Sequence, residues 1–164
     1  MNTAYLLIGG NLGNKSVYLQ QAFTFIQQTC GNIVHSSAIY ESEAWGITEQ
    51  PSFFNQALIV ETSLSPENLM LTLLQIEESM GRKRTIKMGP RIIDLDILLI
   101  DDLIISSHLL TLPHPALPDR RFALLPLYEI APTLFHPVLH KSIGQLLADC
   151  KDELDVYKKS VNTS

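Results

Sequence analysis

Two spacings of hydrophobic residues take turns along this chain. Tyr5 to Ile8 is a short continuous apolar run, the pattern of a fully buried strand. From Asn14 the spacing changes. Leu19, Ala22, Phe23 and Ile26 recur at i, i+3, i+4 and i+7, which predicts a helix capped by Asn14 and stopped at Gly31. Ile33 to Tyr40 alternates and predicts a second strand; after a loop over 41–52, Phe53 to Thr62 predicts a third. Ser65-Pro66-Glu67 starts a helix, with a hydroxyl cap, a proline in the first turn and an acid at the positive dipole end. Leu69, Leu73, Ile76 and Met80 give its buried stripe and Gly81 its end. A fourth strand follows. On it Ile92, Asp94, Asp96 and Leu98 are expected on one face, and Ile93, Leu95, Ile97 and Leu99 on the other. Leu103 to Ile105 can return as a short strand, and apolar helices are predicted over Phe122 to Ile130 and Ser142 to Asp149.

The order strand, helix, strand, strand, helix, strand predicts an α+β fold. The expected form is a ferredoxin-like βαββαβ antiparallel sheet with helices on one face, an open face where a site can be built, and a C-terminal helical extension. At 164 residues, 46% hydrophobic and 18% charged, the chain reads as one globular domain over 1–158 with a polar tail at 159–164. A formal charge of −5 argues against non-specific nucleic-acid binding. Cys30 and Cys150 match no metal spacing, and the start of the chain carries no secretory pattern, so both are expected as reduced thiols of a cytoplasmic protein. Acids interrupt the longest apolar stretches, so no membrane span is expected.

Charge patterning changes the picture in one place. Asp94 and Asp96 share a strand face, about 6.5 Å apart at the backbone for a rise of about 3.3 Å per residue. Two anions that close repel unless something positive lies between them. Hard oxygen ligands at this spacing suit Mg²⁺ and can bridge two ions. Directly upstream, residues 82–91 hold Arg82, Lys83, Arg84, Lys87 and Arg91, five of the chain's twelve Lys and Arg. Arginines beside magnesium-binding carboxylates are the equipment of phosphoryl transfer, which depends on positioning and charge neutralisation.

Other segments are more equivocal. Gly9-Gly10-Asn11-Leu12-Gly13 between strand and helix lacks the ending of a Walker loop and the spacing of a dinucleotide fingerprint, so a structural turn is the better reading. Phe53 and Phe54 beside Asn55 read either as core packing or as a stacking slot with a bidentate amide for a flat heterocycle. His114, between Pro113 and Pro115, is held either for a phosphate contact or for a neighbouring carbonyl.

In combination these motifs resemble the 6-hydroxymethyl-7,8-dihydropterin pyrophosphokinase family. The resemblance rests on Gly89-Pro90-Arg91 leading to Asp94-Leu95-Asp96-Ile97-Leu98, on Ile8 to Gly13, on Gln50-Pro51 with Phe53 and Asn55, and on Gly81-Arg82 with Arg84. Leu112 to Pro115, Arg120 with Phe122, and Pro126-Leu127 with Glu129-Ile130 follow in register, so it spans about residues 4 to 148. It implies transfer of pyrophosphate from ATP to the pterin hydroxymethyl with release of AMP, in folate biosynthesis, by a monomer that acts on small molecules. Carried over by position, Asp94 and Asp96 hold two Mg²⁺, and Arg82 and Arg91 neutralise the moving group. Glu77, Arg84, Ile97, Thr111, His114 and Arg120 serve ATP. Ser42, Glu43, Trp45, Phe53, Asn55 and Phe122 serve the pterin.

The chain departs from many members in carrying Met88 in place of a tryptophan, in a loop one residue shorter over 81–90, and in Ser42-Glu43 in place of threonine-proline. None of these touches the acids. Because water must be kept from the transferring group, the basic arm is expected to order on ATP, with ATP binding first. The rival readings are a two-metal nucleotidyltransferase, which needs a third acid that the sequence does not suggest, and a ligand-sensing module, which has no use for paired acids beside arginines.

Overall fold

A computed structural model describes residues 1–43, 50–82 and 90–159. The chain begins with strand β1 (Asn2–Gly10), then helix α1 (Lys15–Thr29), β2 (Asn32–Ser36), β3 (Tyr40–Ser42) and β4 (Phe53–Thr62). Helix α2 (Pro66–Ser79) and β5 (Asp94–Ile100) follow. A small hairpin, β6 (Ile105–Ser106) and β7 (Thr111–Leu112), leads through a 3₁₀ turn (Leu117–Asp119) into α3 (Arg121–Ile130). A second hairpin, β8 (Phe135–His136) and β9 (Lys141–Ser142), precedes α4 (Ile143–Asp149) and a last strand, β10 (Val156–Lys158).

The main sheet runs β10-β3-β4-β1-β5, with β2 also on β4, and all its pairings are antiparallel. The helix signals in the sequence act as expected. Asn14 accepts from Val17 N at 3.3 Å and Ser65 from Asn68 N at 3.1 Å, and the structure adds a capping box of Ser142 with Gln145 at the start of the last helix. Gly81 closes α2 at φ +87°, a backbone conformation that favours glycine.

Apolar residues fill both faces of the sheet. Ala4, Leu6, Ile8, Leu58, Val60, Leu95 and Ile97 pack with Leu19 and Ile26 of α1 and Leu69 and Leu73 of α2. Leu7, Leu98 and Leu99 pack with Leu124 and Leu127 of α3 and Leu146 of α4. Helices therefore cover more than the one face expected. The extension formed by α3 and α4 folds over part of the second face, and only the remainder is open.

Two expected strands differ in detail. The strand expected over Ile33 to Tyr40 is broken between β2 and β3. Ser37 N donates to Ala57 O at 2.9 Å while Ala57 N donates to Ser37 Oγ at 2.9 Å, so a hydroxyl replaces a carbonyl in the ladder and the strand kinks there. On β5, Tyr5 faces Leu99 and Leu6 faces Ile97, which leaves Leu98 as a bulge. Alternation slips by one at that point, so Leu98 and Leu99 both enter the second core. Ile92 lies before the strand begins and packs toward the first core, away from the acid face.

Candidate active site

The uncovered part of the second face is a cleft of about 550 Å³, floored by Leu7 and Gly9 of β1 and Asn55 of β4. Gly9 lies opposite Asn55 and Asp94. A Cβ at Gly9 would fall 2.1 Å from Asn55 Oδ1, so only glycine lets the amide reach the cleft. Asn55 is 5% exposed, and Ser42 on the next strand is 2% exposed. Ser42 Oγ has no hydrogen-bond partner among the described residues, which leaves a buried hydroxyl at the wall of the cleft. Phe53 and Phe122 line the cleft, with the Arg91 guanidinium 5.6 Å from the Phe53 centroid and that of Arg120 5.6 Å from Phe122. Of the two readings left open, the slot fits Phe53, whereas Phe54 points to the first core.

Asp94 and Asp96 stand at one end of this cleft. Arg82 Nη1 donates to Asp94 Oδ1 at 2.9 Å, and Arg91 Nη1 donates to Asp94 Oδ2 at 3.1 Å. Arg82 Nη1 also lies 2.8 Å from Glu77 Oε2, an oxygen that accepts from Leu95 N at 2.7 Å. Glu77, buried in the last turn of α2, thus fixes both the arginine and the head of β5 from below, and it lines neither cleft. Burial, reinforced by the Asp94 charge and partly offset by Arg120, pushes the Asp96 carboxyl up to about 7.

A second depression of about 490 Å³ meets the first at Asp96. It is lined by Ile97, Thr111, His114 and Pro115, with Met70 and Leu110 as its apolar wall. His114 N donates to Leu98 O at 2.9 Å, and Ala116 N donates to His114 Nδ1 at 3.2 Å. With Nδ1 accepting, the ring proton sits on Nε2. Burial and the Arg120 charge hold the imidazole below its ordinary value, so it is a neutral donor at pH 7. The histidine backbone takes the neighbouring carbonyl, and the ring takes the Ala116 amide at Nδ1.

Among the described residues no group of three or more His, Cys, Asp or Glu could hold a metal by itself. Two adjacent carboxylates walled by guanidiniums fit an ion that takes its remaining ligands from phosphate and water, as Mg²⁺ does. Trp45, Arg84 and Met88 lie outside the described residues, as do the other residues of the basic arm between Arg82 and Pro90. Of the remaining predicted residues, Arg91, Asp94, Asp96, Arg120, Ser42, Glu43, Phe53, Asn55 and Phe122 meet in the first cleft, and Ile97, Thr111 and His114 in the second.

The sequence reading missed Asn11. Its Nδ2 donates to Gln50 Oε1 at 2.8 Å and to Pro51 O at 3.0 Å, and its Oδ1 accepts from Arg91 N at 2.9 Å. One buried amide therefore ties Gln50 and Pro51 to Arg91 beside the site. Its position in the glycine-rich turn was the available signal. Met70 and Leu110 were also missed, because nothing distinguishes a cleft-lining apolar residue from a core one in the sequence.

Comparison with known proteins identifies the family. The profile of the 7,8-dihydro-6-hydroxymethylpterin-pyrophosphokinase (HPPK) family matches residues 5–132. The chain is 41% identical over 145 residues to the 2-amino-4-hydroxy-6-hydroxymethyldihydropteridine pyrophosphokinase of Aquifex aeolicus, covering 88% of this chain and 90% of that one. It is 40% identical over 130 residues to the enzyme of the same name from Bacillus subtilis, covering 79% and 78%. It is also 41% identical to Folic acid synthesis protein fol1 of Schizosaccharomyces pombe, but spans only 20% of that longer protein. Among solved structures, wild-type HPPK-DHPS of Plasmodium falciparum with pteroate matches at a TM-score of 0.71 and 19% identity, covering 90% of this chain and 42% of that one. At that identity the likeness concerns the fold.

Proposed function

This chain belongs to the 7,8-dihydro-6-hydroxymethylpterin-pyrophosphokinase family, and from that premise we infer how its two clefts divide the reaction. The protein is a pyrophosphokinase of folate synthesis. It transfers pyrophosphate from ATP to the hydroxymethyl group of 6-hydroxymethyl-7,8-dihydropterin and gives AMP and the pterin diphosphate. The observation that carries the division is the meeting of two chemically different clefts at one acid, Asp96. The first, with paired aromatics, a buried amide and a buried hydroxyl, suits the flat, hydrogen-bonding pterin. The second, apolar with a neutral histidine donor at its mouth, suits the adenosine end of ATP.

In this reading Asn55 pairs with the pterin edge, Phe53 and Phe122 lie against its faces, and Ser42 Oγ gains the partner it lacks among the described residues. His114 Nε2 and Arg120 bind ATP oxygens. Glu77 acts through Arg82 as a positioning residue. Asp94 and Asp96 would hold two Mg²⁺, which would supply charge neutralisation to the phosphates. Arg82 and Arg91, both paired with Asp94, are the guanidiniums placed to neutralise the transferred group once the acids hold another partner. We also read the strand order as a ferredoxin-like core and residues 1–158 as one functional unit.

Product analysis tests the reading. Purified protein with ATP, Mg²⁺ and 6-hydroxymethyl-7,8-dihydropterin should give pterin-dependent AMP without free pyrophosphate. ADP would indicate a simple kinase and free pyrophosphate a nucleotidyltransferase, and either would overturn the assignment.

A further inference from the structure

The stretch Val156–Lys158 lines neither cleft, yet as β10 it lies along the outer edge of β3, the strand that carries Ser42. Val156 pairs with Ser42, Tyr157 with Glu41 and Lys158 with Tyr40. Two more contacts fasten this end. Lys159 N donates to Ile39 O at 2.8 Å, and Lys159 Nζ sits 4.4 Å from the Phe54 centroid, a ring that also takes Lys15 Nζ at 4.4 Å.

Phe122, in the first turn of α3, also lines the cleft. About two turns along the same helix, Glu129 reaches back to β3. Its Oε1 accepts from Tyr40 Oη at 2.7 Å, its Oε2 accepts from Ala38 N at 3.0 Å, and Lys158 Nζ lies 3.5 Å from Oε1. Burial pushes this carboxyl up, but the bonds from Tyr40 and Ala38 and the Lys158 charge outweigh it and hold the group below its ordinary value. One carboxylate thus joins α3 to both β3 and β10.

We propose that Glu129, Tyr40 and strand β10 form a positioning clasp that sets the separation of Ser42 from Phe122, and so the affinity of the first cleft for its flat heterocyclic substrate. The proposal rests on the pterin reading of that cleft. A stacking slot holds its ligand by dispersion and aligned hydrogen bonds, and both fall steeply when a wall moves by a fraction of an ångström. The second cleft is built around β5, at the other edge of the sheet with β4 and β1 in between. Loosening the clasp therefore acts on the pterin and spares the nucleotide.

The test uses Tyr40→Phe, Glu129→Ala, Glu129→Gln and a chain ended after Asp155. Pterin affinity is read by fluorescence titration in the presence of Mg²⁺ and a non-hydrolysable ATP analogue, and kcat, KM for ATP and melting temperature are followed in parallel. Glu129→Ala and the shortened chain should weaken pterin binding about 10-fold and Tyr40→Phe about 3-fold, the size of one or two lost hydrogen bonds. Glu129→Gln, whose amide oxygen still accepts, should retain most of the affinity. KM for ATP and kcat should stay within about twofold throughout, since none of these groups approaches the nucleotide cleft. Unaltered pterin affinity in Tyr40→Phe and Glu129→Ala would overturn the clasp, as would a parallel loss in ATP binding and kcat. Tyr40→Phe removes one hydroxyl only, so it decides the matter even if the shortened chain does not fold. Wild-type protein that fails to bind the pterin would overturn the reading of the cleft and the clasp together, whereas wild-type binding with unaltered variants strikes the clasp alone.

Discussion

On the face covered by α1 and α2, buried apolar side chains continue to the head of the sheet, through Ile8, Phe54 and Leu95. On the face covered by α3 and α4 they stop at Leu7 and Leu98, and beyond them stand Gly9, Asn55, Asp94 and Asp96. The same three strands, β4, β1 and β5, supply both faces, because successive side chains point to opposite sides. Leu95 and Ile97, 1% and 2% exposed, are therefore the anchors that hold Asp94 and Asp96 in place. The difference teaches how a small sheet carries charge without losing its core. One face supplies the stability, and the acids occupy positions whose strand neighbours are already locked.

The largest break in that division comes from removing an acid. Asp94→Ala or Asp96→Ala should lower kcat by about 10³-fold or more, since each takes away a charge that organises the reacting groups. The variants should still show a wild-type far-UV spectrum and a cooperative melt, because neither side chain belongs to a core. An active Asp96→Ala protein would remove the junction of the two clefts from the mechanism.

Arg82 sharpens the comparison, because it is held from the packed side by Glu77 and acts on the open side at Asp94. Arg82→Ala should cost about 10²–10³ in kcat, the range for losing one preorganised donor. KM for the pterin should change little, since Arg82 does not line the pterin cleft. A pure KM effect would place the arginine in substrate binding instead.

The converse experiment cuts the stable face. Leu73 is fully buried between α2 and the sheet, so Leu73→Ala should destabilise the fold by about 2–5 kcal/mol. Turnover per folded molecule, measured well below the melting temperature, should stay near wild type. A loss of turnover matching the Arg82 variant would mean that the two faces are not separable.

The short-range part of this architecture was legible in the sequence. Caps at Asn14 and Ser65, the stripe of α2 and the alternation that pairs Asp94 with Asp96 all depend on residues within a turn or two of one another. Features that depend on distant partners were not. The bulge at Leu98 follows from pairing with Tyr5 and Leu6, and the break at Ser37 from a hydroxyl bonded to Ala57. Asn11 joins residues 39 to 80 positions away. That α3 and α4 cover part of the second face could not be read from their own amphipathicity, which shows that a helix buries a side but not which sheet face receives it.

The smallest effect separates what function needs from what the fold prefers. Asp96 is the residue at which the two faces conflict, since its carboxyl is pushed up to about 7 by burial and by Asp94, with Glu77 adding to the shift and Arg120 and Arg82 opposing it. The unfolded chain gives up this proton near the ordinary value of 3.8, and the folded chain only near 7. Between those values the folded state binds more protons, so metal-free stability falls as pH rises. Asp96→Asn removes that loss. Without divalent cation the variant should match wild type near pH 4 and melt about 2–6 °C higher at pH 8, for a difference on the order of 1–2 kcal/mol in a chain of this size. Adding Mg²⁺ with an ATP analogue at pH 8 should narrow the gap by stabilising wild type more than the variant, through binding to the folded state. A gap that is constant across pH would show that Asp96 is already ionised at little cost, and that its neighbouring guanidiniums suffice to hold both acids charged.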